Sequence, residues 1–331
     1  MLTFDETPVQ EAVAARLREA VEFRMKWFEK NEPQRTTNAY RVVHSEGDGL
    51  PGLIVDRYAD HLVLQITTLG MDRLKPFIVE QLVALLQPKS IYEKSTASSR
   101  REEGLERQEG LLMGEMPSSV EILENGLKFQ VEFEASQKTG FFLDQREMRS
   151  LVETLAQDRV VLNAFAYTGG FSVYALCGGA KHVDSVDISA DAMAQALHNM
   201  ERNAFSSDRS NLYTDDAFDF LKHPPRKDYD FIILDPPAFA KKKSDVVAAC
   251  RGYKELNRMA FSLLSAGGLL LTCSCSYHVD EKLFQTVLFQ AAREANRRVR
   301  IVQRHHLAPD HPVNLYHPEG EYLKSMLLVV E

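Results

Sequence analysis

Apolar residues recur along the chain at two different spacings, and the spacing changes from one region to the next. From about Val9 to Glu29 they recur at helical intervals, which predicts an amphipathic helix. From Tyr40 to about Pro88, short β-like runs surround a turn-rich segment, and a helix is predicted over Asp72–Leu86. We therefore predict an N-terminal helix and linker over residues 1–34 and a small α+β domain over residues 35–117.

Two further segments mark the end of this small domain. The charged stretch Arg100–Gly104 is predicted to be the exposed connection that leads out of it. After about Val120, two alternating runs flank Glu124-Asn125-Gly126, and this pattern predicts a pair of strands joined by a tight turn.

Strands and helices then alternate regularly up to the C-terminal region, as in a doubly wound α/β sheet with mostly parallel strands. The pattern predicts such a domain over residues 118–331. It contains four strand–helix pairs and a terminal antiparallel hairpin: Val160–Leu162 with Phe171–Gly178, Val183–Val186 with Ala190–Asn203, Asp230–Leu234 with Tyr253–Leu264, Gly268–Thr272 with Glu281–Ala295, and finally Val299–Arg304 with Tyr322–Val330.

Composition limits the classes of protein. The chain has 331 residues, 44% of them hydrophobic, and it has neither the ~18-residue apolar run of a membrane span nor a signal peptide. These features predict a cytoplasmic protein without a membrane partner. The four cysteines are too few for a disulfide scaffold and lack the spacing of a metal site, so we expect no metal. A net charge of −8 argues against indiscriminate coating of nucleic acid, although a local basic rim is compatible with it.

The chemistry is predicted to lie at the ends of strands. The apolar run Phe231–Leu234 leads directly into Asp235, Pro236 and Pro237. The first proline restricts the aspartate to an extended conformation, and neither proline can donate a backbone hydrogen bond. A carboxylate is thus fixed at the carboxyl end of a strand, which is where open α/β sheets bind their ligands.

A second candidate site follows the strand at Val160. The segment Asn163–Gly170 places Gly169 and Gly170 before a helix, but it is neither GxGxxG nor a P-loop. Asp187 ends the next predicted strand, 18 residues beyond Gly169, where it could accept both hydroxyls of a ribose. The pair Asp215-Asp216 follows a third strand, where it could reach an adenine ring. Together these elements favour an adenosine ligand without pyrophosphate.

In this order, the motifs resemble those of class I S-adenosylmethionine-dependent methyltransferases, which have a Rossmann-like sheet. A narrower resemblance covers nearly the whole chain from about Arg35, and it is to the bacterial large-subunit ribosomal RNA methyltransferases that make 5-methylcytosine. Four segments carry it: Lys138–Arg146, Tyr167–Phe171, Cys250–Lys254 and His317–Gly320. In that family the first of these segments folds over the methionine part of the cofactor.

The resemblance implies that the cofactor is S-adenosylmethionine and that the partner is RNA, specifically ribosomal RNA. A homodimer is compatible with the sequence. The expected cofactor-binding residues come from the pre-core segment and the strand ends: Lys138, Thr139, Gly140, Phe142, Asp144, Arg146, Asn163, Phe165, Tyr167, Thr168, Gly169, Asp187, Ile188, Ser189, Asp216, Ala217 and Asp235.

Methylation of cytosine C5 requires a thiolate that adds to C6, because C5 is otherwise a poor nucleophile. The segment Leu271–Ser276 ends a strand beside the Asp235 strand, and Cys275 lies just beyond it and matches the Ser-Cys-Ser of the family. We therefore expect Cys275 to be the nucleophile and Cys273 to be a buried small hydrophobe. Asp235 would hold N3 and N4 of the base. The expected RNA contacts follow it: Pro236, Pro237, Phe239 and Lys241.

Two alternatives remain open. Asp-Pro-Pro followed by an aromatic residue is also typical of enzymes that methylate nitrogen, although here Ala238 follows the prolines and Phe239 comes one place late. A non-catalytic RNA-binding or assembly protein could retain the same fold. The family also usually begins with a PUA domain, and the sequence before Val9 is too short for one, so either the chain is truncated or it binds RNA without that domain.

Overall fold

The structure is a computed structural model, and it describes residues 6–31, 36–133 and 140–331. The chain divides into two compact units. Unit 1 comprises Met1–Arg146 and Ala308–Glu321, and unit 2 comprises Glu147–Leu307 and Tyr322–Glu331. None of the helices in the described ranges is long and apolar enough to cross a bilayer.

Unit 1 is an α+β unit built on a five-stranded sheet with the order β1-β2-β3-β4-β5. Only the β3–β4 pair of this sheet is parallel. A separate hairpin, β6–β7, turns at Asn125 and Gly126, which both have the positive φ angles (51° and 82°) that a tight hairpin requires. The elements are α1 (Val9–Asn31), α2 (Leu69–Arg73), α3 (Lys75–Leu86), β1 (Ala39–His44), β2 (Leu53–Tyr58), β3 (His61–Ile66), β4 (Ser90–Ser95), β5 (Gln108–Gly114), β6 (Ser119–Glu124) and β7 (Leu127–Glu132).

Unit 2 has a seven-stranded sheet with the order β10-β9-β8-β11-β12-β14-β13. The five strands from β10 to β12 are parallel, and β14 and β13 close the sheet as an antiparallel pair. This arrangement confirms the predicted doubly wound sheet with its terminal hairpin. The elements are α4 (Arg146–Leu155), α5 (Gly170–Cys177), α6 (Ala190–Arg202), α7 (Ala217–Lys222), α8 (Val246–Leu263), α9 (Glu281–Glu294), β8 (Val160–Ala164), β9 (His182–Asp187), β10 (Ser210–Thr214), β11 (Phe231–Leu234), β12 (Leu269–Ser274), β13 (Val299–His305) and β14 (Lys324–Val330).

The central strands of unit 2 are buried on both faces. All four residues of β11 and all six of β12 are buried, as expected for parallel strands covered by helices. The main core of this unit packs α8 and α9 against these strands, and Phe261 and Phe284 are completely buried in it. A rigid base of this kind fixes the positions at which the strands end.

Three details of the sequence prediction need correction. The helix predicted over Asp72–Leu86 is interrupted at Leu74, because the ring of Pro76 can be accommodated only in the first turn of a new helix. The helix before Leu264 begins at Val246 rather than at Tyr253. The stretch Arg100–Gly104 is exposed from Arg101 onward, as predicted, but it does not lead out of the small domain. It joins the paired strands β4 and β5, and Arg100 is buried, where it donates hydrogen bonds to the Ile66 and Glu106 carbonyls.

The compact units also differ from the predicted boundaries at residues 34/35 and 117/118. The helix α1 belongs to unit 1 because Val13 and Leu17 are buried in the core of its sheet. The β6–β7 hairpin joins the same unit, where the Asn38 N–H donates to the Leu123 carbonyl at 2.9 Å. The division into functional domains stays a prediction.

Candidate active site

The candidate site of unit 2 lies where the strand order reverses. From β8 the chain continues to β9 and β10 on one side, and it then returns to β11 and β12 on the other. Because these strands are parallel, the segments that follow β9, β8, β11 and β12 all leave the same edge of the sheet. Strands are spaced about 4.8 Å apart, so the ends of β9 and β11 are separated by about 10 Å. Such a reversal point is the usual ligand site of a doubly wound sheet.

The turn after β8 has an unusual main-chain conformation. Phe165 and Tyr167 have positive φ angles of 63° and 47°, which are uncommon for residues with large side chains. Gly169 has a φ of 77°, and a Cβ atom there would lie 2.8 Å from the Ala196 Cβ of α6. The glycine thus allows both the left-handed conformation and the close approach of α6. Backbone strain concentrated in one turn is typical of a ligand-binding segment.

Asp187 connects this turn to the end of β9. Its Oδ2 accepts a hydrogen bond from the Tyr167 N–H at 2.9 Å, and its Oδ1 accepts one from the Ser189 N–H at 3.0 Å. A carboxylate has about four acceptor sites, so this orientation leaves room for two hydroxyl donors. The neighbouring Ile188 is 74% exposed, which provides an apolar surface beside the carboxylate. An acceptor carboxylate beside an apolar surface fits the hydroxyls of a ribose and an adjacent flat base.

Three more of the predicted cofactor residues lie at helix starts. Ser189 caps α6, where its Oγ accepts the Ala192 N–H at 3.2 Å. Asp216 caps α7, where its Oδ1 accepts the N–H groups of Phe218 and Asp219 at 2.8 and 3.2 Å. Ala217 is the buried first residue of that helix. Ser189 and Asp216 thus have a structural role as helix caps. Binding of the cofactor by these three residues stays a prediction.

Asn163 and Thr168 also have structural partners. The Asn163 Nδ2 donates to the Ser172 Oγ at 2.8 Å, while its buried Oδ1 has no hydrogen-bond partner among the described residues. The Thr168 carbonyl accepts from the Asn199 Nδ2 at 2.9 Å, which ties the glycine turn to α6. Binding of the cofactor by Asn163 and Thr168 stays a prediction.

The described part of the pre-core segment, residues 140–146, lies in unit 1. Lys138 and Thr139 fall outside the described residues, whereas Gly140, Phe142, Asp144 and Arg146 are described. Arg146 is completely buried and forms an ion pair with Asp310, with an NH2–Oδ1 distance of 3.0 Å. The Arg146 guanidinium and the imidazole of His311 hold the pKa of the buried Asp310 carboxyl well below its usual range. The guanidinium is thus used within unit 1, and a cofactor contact by this segment stays a prediction.

The segment after β11 forms a rigid rim, Asp235–Ala240, which we call the lip. Asp235 is half-buried, Pro236 is buried and Pro237 is exposed. Cys275 approaches the lip from the end of β12, and its Sγ lies 3.9 Å from the Pro236 carbonyl oxygen. Cys273 is completely buried within β12, as predicted, while Cys275 is partly accessible. Of these two cysteines, the accessible one is the one beside the lip.

The sequence reading missed Ser276, which joins the lip to this cysteine. The completely buried Ser276 Oγ accepts a hydrogen bond from the Ala240 N–H at 3.1 Å and pairs with the Tyr253 hydroxyl at 2.9 Å. The Ser276 carbonyl accepts a bond from the Lys324 Nζ at 2.7 Å. Burial raises the pKa of Tyr253, so its hydroxyl is a neutral partner. The Ser-Cys-Ser motif was the only sequence signal that could have pointed to this residue.

The two remaining RNA candidates have different surroundings. Phe239 is half-buried, and its ring packs at 4.7 Å from the Tyr253 ring and 6.2 Å from the Phe218 ring. Lys241 is exposed beside Lys242 and Lys243. The Phe239 ring therefore supports the lip from within, and its stacking on a base stays a prediction.

Strained backbone after β8, an oriented carboxylate after β9 and an accessible thiol after β12 fit a group-transfer enzyme with a nucleoside-containing cofactor. The family model of S-adenosylmethionine-dependent methyltransferases matches residues 104–327. The chain belongs to this family.

Similar proteins agree with the assignment. The chain is 43% identical over 295 residues to "Ribosomal RNA large subunit methyltransferase I" of Tolumonas auensis, covering 88% of this chain and 74% of that protein. It is 44% identical to the protein of the same name from Aliivibrio fischeri, covering 86% and 73%. Among solved structures, a methyltransferase in complex with SAH superimposes with a TM-score of 0.82 at 27% identity, covering 96% and 81%. A methyltransferase from Streptococcus mutans gives a TM-score of 0.84 at 25% identity, covering 99% and 84%.

S-adenosylmethionine is therefore the cofactor. It supplies a methyl group on a sulfonium centre, which is an electrophile. Asp187 and Ile188 fit its ribose and adenine, because an oriented carboxylate accepts hydroxyl donors and an exposed apolar side chain covers a ring face. The lip and Cys275 lie two and three strands away from Asp187, at the same edge of the sheet.

Proposed function

We propose that this enzyme forms 5-methylcytosine in large-subunit ribosomal RNA (23S) through a covalent bond between Cys275 and the base. The observation that carries the proposal is the position of the Cys275 Sγ, 3.9 Å from the Pro236 carbonyl of the lip. The nitrogen-methylating alternative has no use for a thiol at this place. The proposal is further supported by the names of the two bacterial relatives, which are ribosomal RNA large subunit methyltransferases.

The proposed chemistry begins with the thiolate of Cys275. Its sulfur would add to C6 of cytosine, and the ring electrons would move to C5. C5 would then take the methyl group, whose bond to the sulfonium sulfur breaks and leaves its electron pair on that sulfur. A base removes the C5 proton, and the C6–S bond breaks to restore the aromatic ring and the thiolate. The target cytosine must be flipped out of the RNA base stack, because C5 and C6 must both be reached from the face of the ring.

Asp235 would hold the cytosine during these steps. It is half-buried at the start of the lip, and Pro236 fixes its backbone. A carboxyl group at this position can pair with the N3 and N4 edge of the base and polarise the ring. The same group would serve an enzyme that methylates the amino nitrogen, so Asp235 alone does not distinguish the two reactions.

The RNA backbone would meet positive charge beside the lip. Lys241, Lys242 and Lys243 are all exposed, and Arg251 is exposed on the following helix α8. This local basic rim is compatible with a chain whose net charge is −8. We propose that residues 118–331 carry the methyltransferase activity and that the enzyme acts in the cytoplasm; a homodimer stays a prediction.

The test is the identity of the methylated nucleoside. Unmodified 23S RNA transcribed in vitro is incubated with the enzyme and radiolabelled S-adenosylmethionine, and the RNA is digested to nucleosides for mass spectrometry. We expect the label in 5-methylcytidine. Label in N4-methylcytidine or in a methylated purine would contradict the proposal. Mapping of the same nucleoside in ribosomal RNA from cells that lack the gene would then locate the target.

A further inference from the structure

We propose that Ser276 is the positioning residue for Cys275, and that Tyr253 and Lys324 hold Ser276 in place. This inference rests on the proposed function, because it assigns a role to residues around the nucleophile of that reaction. The three side chains form what we call the thiol clamp (Tyr253, Ser276 and Lys324).

The first part of the clamp joins two loops that are distant in sequence. The Ser276 Oγ accepts the Ala240 N–H at 3.1 Å, and Ala240 is the last residue of the lip. The Tyr253 hydroxyl, 2.9 Å from the same Oγ, lies on α8 and fixes the direction of the serine hydroxyl. Both side chains are completely buried, so water does not compete for these hydrogen bonds. The lip and the end of β12 are thus fixed to each other through one hydroxyl group.

The second part of the clamp holds the main chain of Ser276. The Lys324 Nζ donates to the Ser276 carbonyl at 2.7 Å, and the Lys324 side chain is only 5% exposed. Lys324 begins β14, where it is the register partner of Ser274. Residues on both sides of Cys275 are therefore fixed to neighbouring elements. The main chain at Cys275 has little freedom to rotate, and its sulfur stays beside Pro236.

The expected consequence concerns rate more than binding. A nucleophile displaced by about 1 Å can lose about 100-fold in rate, whereas none of the three clamp side chains is itself predicted to contact RNA or cofactor. Loss of the clamp should therefore lower kcat with a much smaller change in KM for either substrate. A residue that serves only stability would lower the melting temperature without this split.

The experiment compares Ser276→Ala and Tyr253→Phe with Tyr229→Phe. Tyr229 is also completely buried in unit 2, but its hydroxyl donates to Asp184 at 2.6 Å, away from the thiol. Each full-length variant is assayed with in vitro 23S transcript and S-adenosylmethionine, and its melting temperature is recorded. We expect Ser276→Ala and Tyr253→Phe to lower kcat by at least about 10-fold, with KM values within about threefold of the parent.

Several results would overturn the inference. If Tyr253→Phe and Tyr229→Phe lost equal amounts of kcat, the clamp would serve only stability. If Ser276→Ala kept the kcat of the parent, Ser276 would not position the thiol. If Ser276→Ala does not fold, Tyr253→Phe against Tyr229→Phe still gives the answer. Failure of the proposed function has a different signature, because Cys275→Ala would then retain methylation whatever the clamp variants do.

Discussion

The two halves of the sheet edge in unit 2 are held in place by different means. In the cofactor half, made of the β8 turn and the end of β9, a predicted cofactor residue makes the holding contacts itself: Asp187 accepts two backbone N–H groups, and Gly169 fits against α6. In the acceptor half, made of the lip and the end of β12, the holding contacts are made by Tyr253, Ser276 and Lys324, which are not themselves predicted to touch a substrate. Changes in the cofactor half should therefore act mainly on cofactor binding and folding. Changes in the acceptor half should act mainly on rate.

The largest effect is expected from the nucleophile itself. Cys275→Ala should lower the methylation rate by at least about 10³-fold, because the covalent route has no substitute for the thiolate. Binding of S-adenosylmethionine, measured by calorimetry, should stay within about twofold of the parent, since Cys275 lies in the acceptor half. Cys273→Ala is the matched control, and it should retain most activity because that side chain is completely buried. Surviving methylation in Cys275→Ala would rule out the covalent route.

The next largest effect concerns Gly169 in the cofactor half. Gly169→Ala should destabilise the protein by about 2–4 kcal/mol, because alanine is strained at this positive φ and its Cβ would collide with Ala196. Gly267→Ala provides the control: Gly267 has a similar φ of 83°, but a Cβ there meets nothing within 4 Å. The difference between the unfolding free energies of the two variants, measured by denaturant unfolding, gives the contribution of the close contact between Gly169 and α6. Equal losses would show that α6 does not restrict this turn.

A smaller effect is expected at Asp187. Asp187→Asn should weaken S-adenosylmethionine binding by about 10- to 100-fold, because hydrogen bonds from ribose hydroxyls to a charged acceptor are worth about 1.5–3 kcal/mol. The asparagine keeps one oxygen acceptor for the backbone, so folding is disturbed less than by alanine. In a calorimetric titration, an unchanged Kd would show that the carboxylate serves only its two backbone partners.

The smallest effect is expected at the basic rim. Lys241→Ala should weaken binding of the 23S transcript only a few-fold and reduce the salt dependence by about one counterion. Lys181→Ala, at an exposed position before β9, is the control from the opposite edge of the sheet. Filter binding at several salt concentrations measures both. If the two variants had the same RNA affinity and the same salt dependence, the basic rim would not contact the RNA.

The sequence predicts where the strands end better than it predicts the contacts that hold those ends in place. The strand–turn–helix order and Asp187 could be recognised because parallel strands produce local, periodic patterns. The strand ends near Asp235 and Cys275 were found in the same way. Contacts such as Tyr253 with Ser276 and Arg146 with Asp310 join residues 23 and 164 positions apart, and local pattern does not encode them. The helix break at Leu74 was visible in Pro76, but the apolar spacing that continues past it favoured one helix.

The central claim is that Cys275 forms a covalent bond with the target cytosine at the lip. The most direct measurement uses a 23S transcript containing 5-fluorocytidine, in which C5 carries no removable proton. After addition of S-adenosylmethionine, the release step cannot occur, and the enzyme should remain bound to the RNA. Digestion and mass spectrometry should then identify a nucleotide on the peptide that contains Cys275. The absence of any adduct, or an adduct on Cys273, would contradict the account.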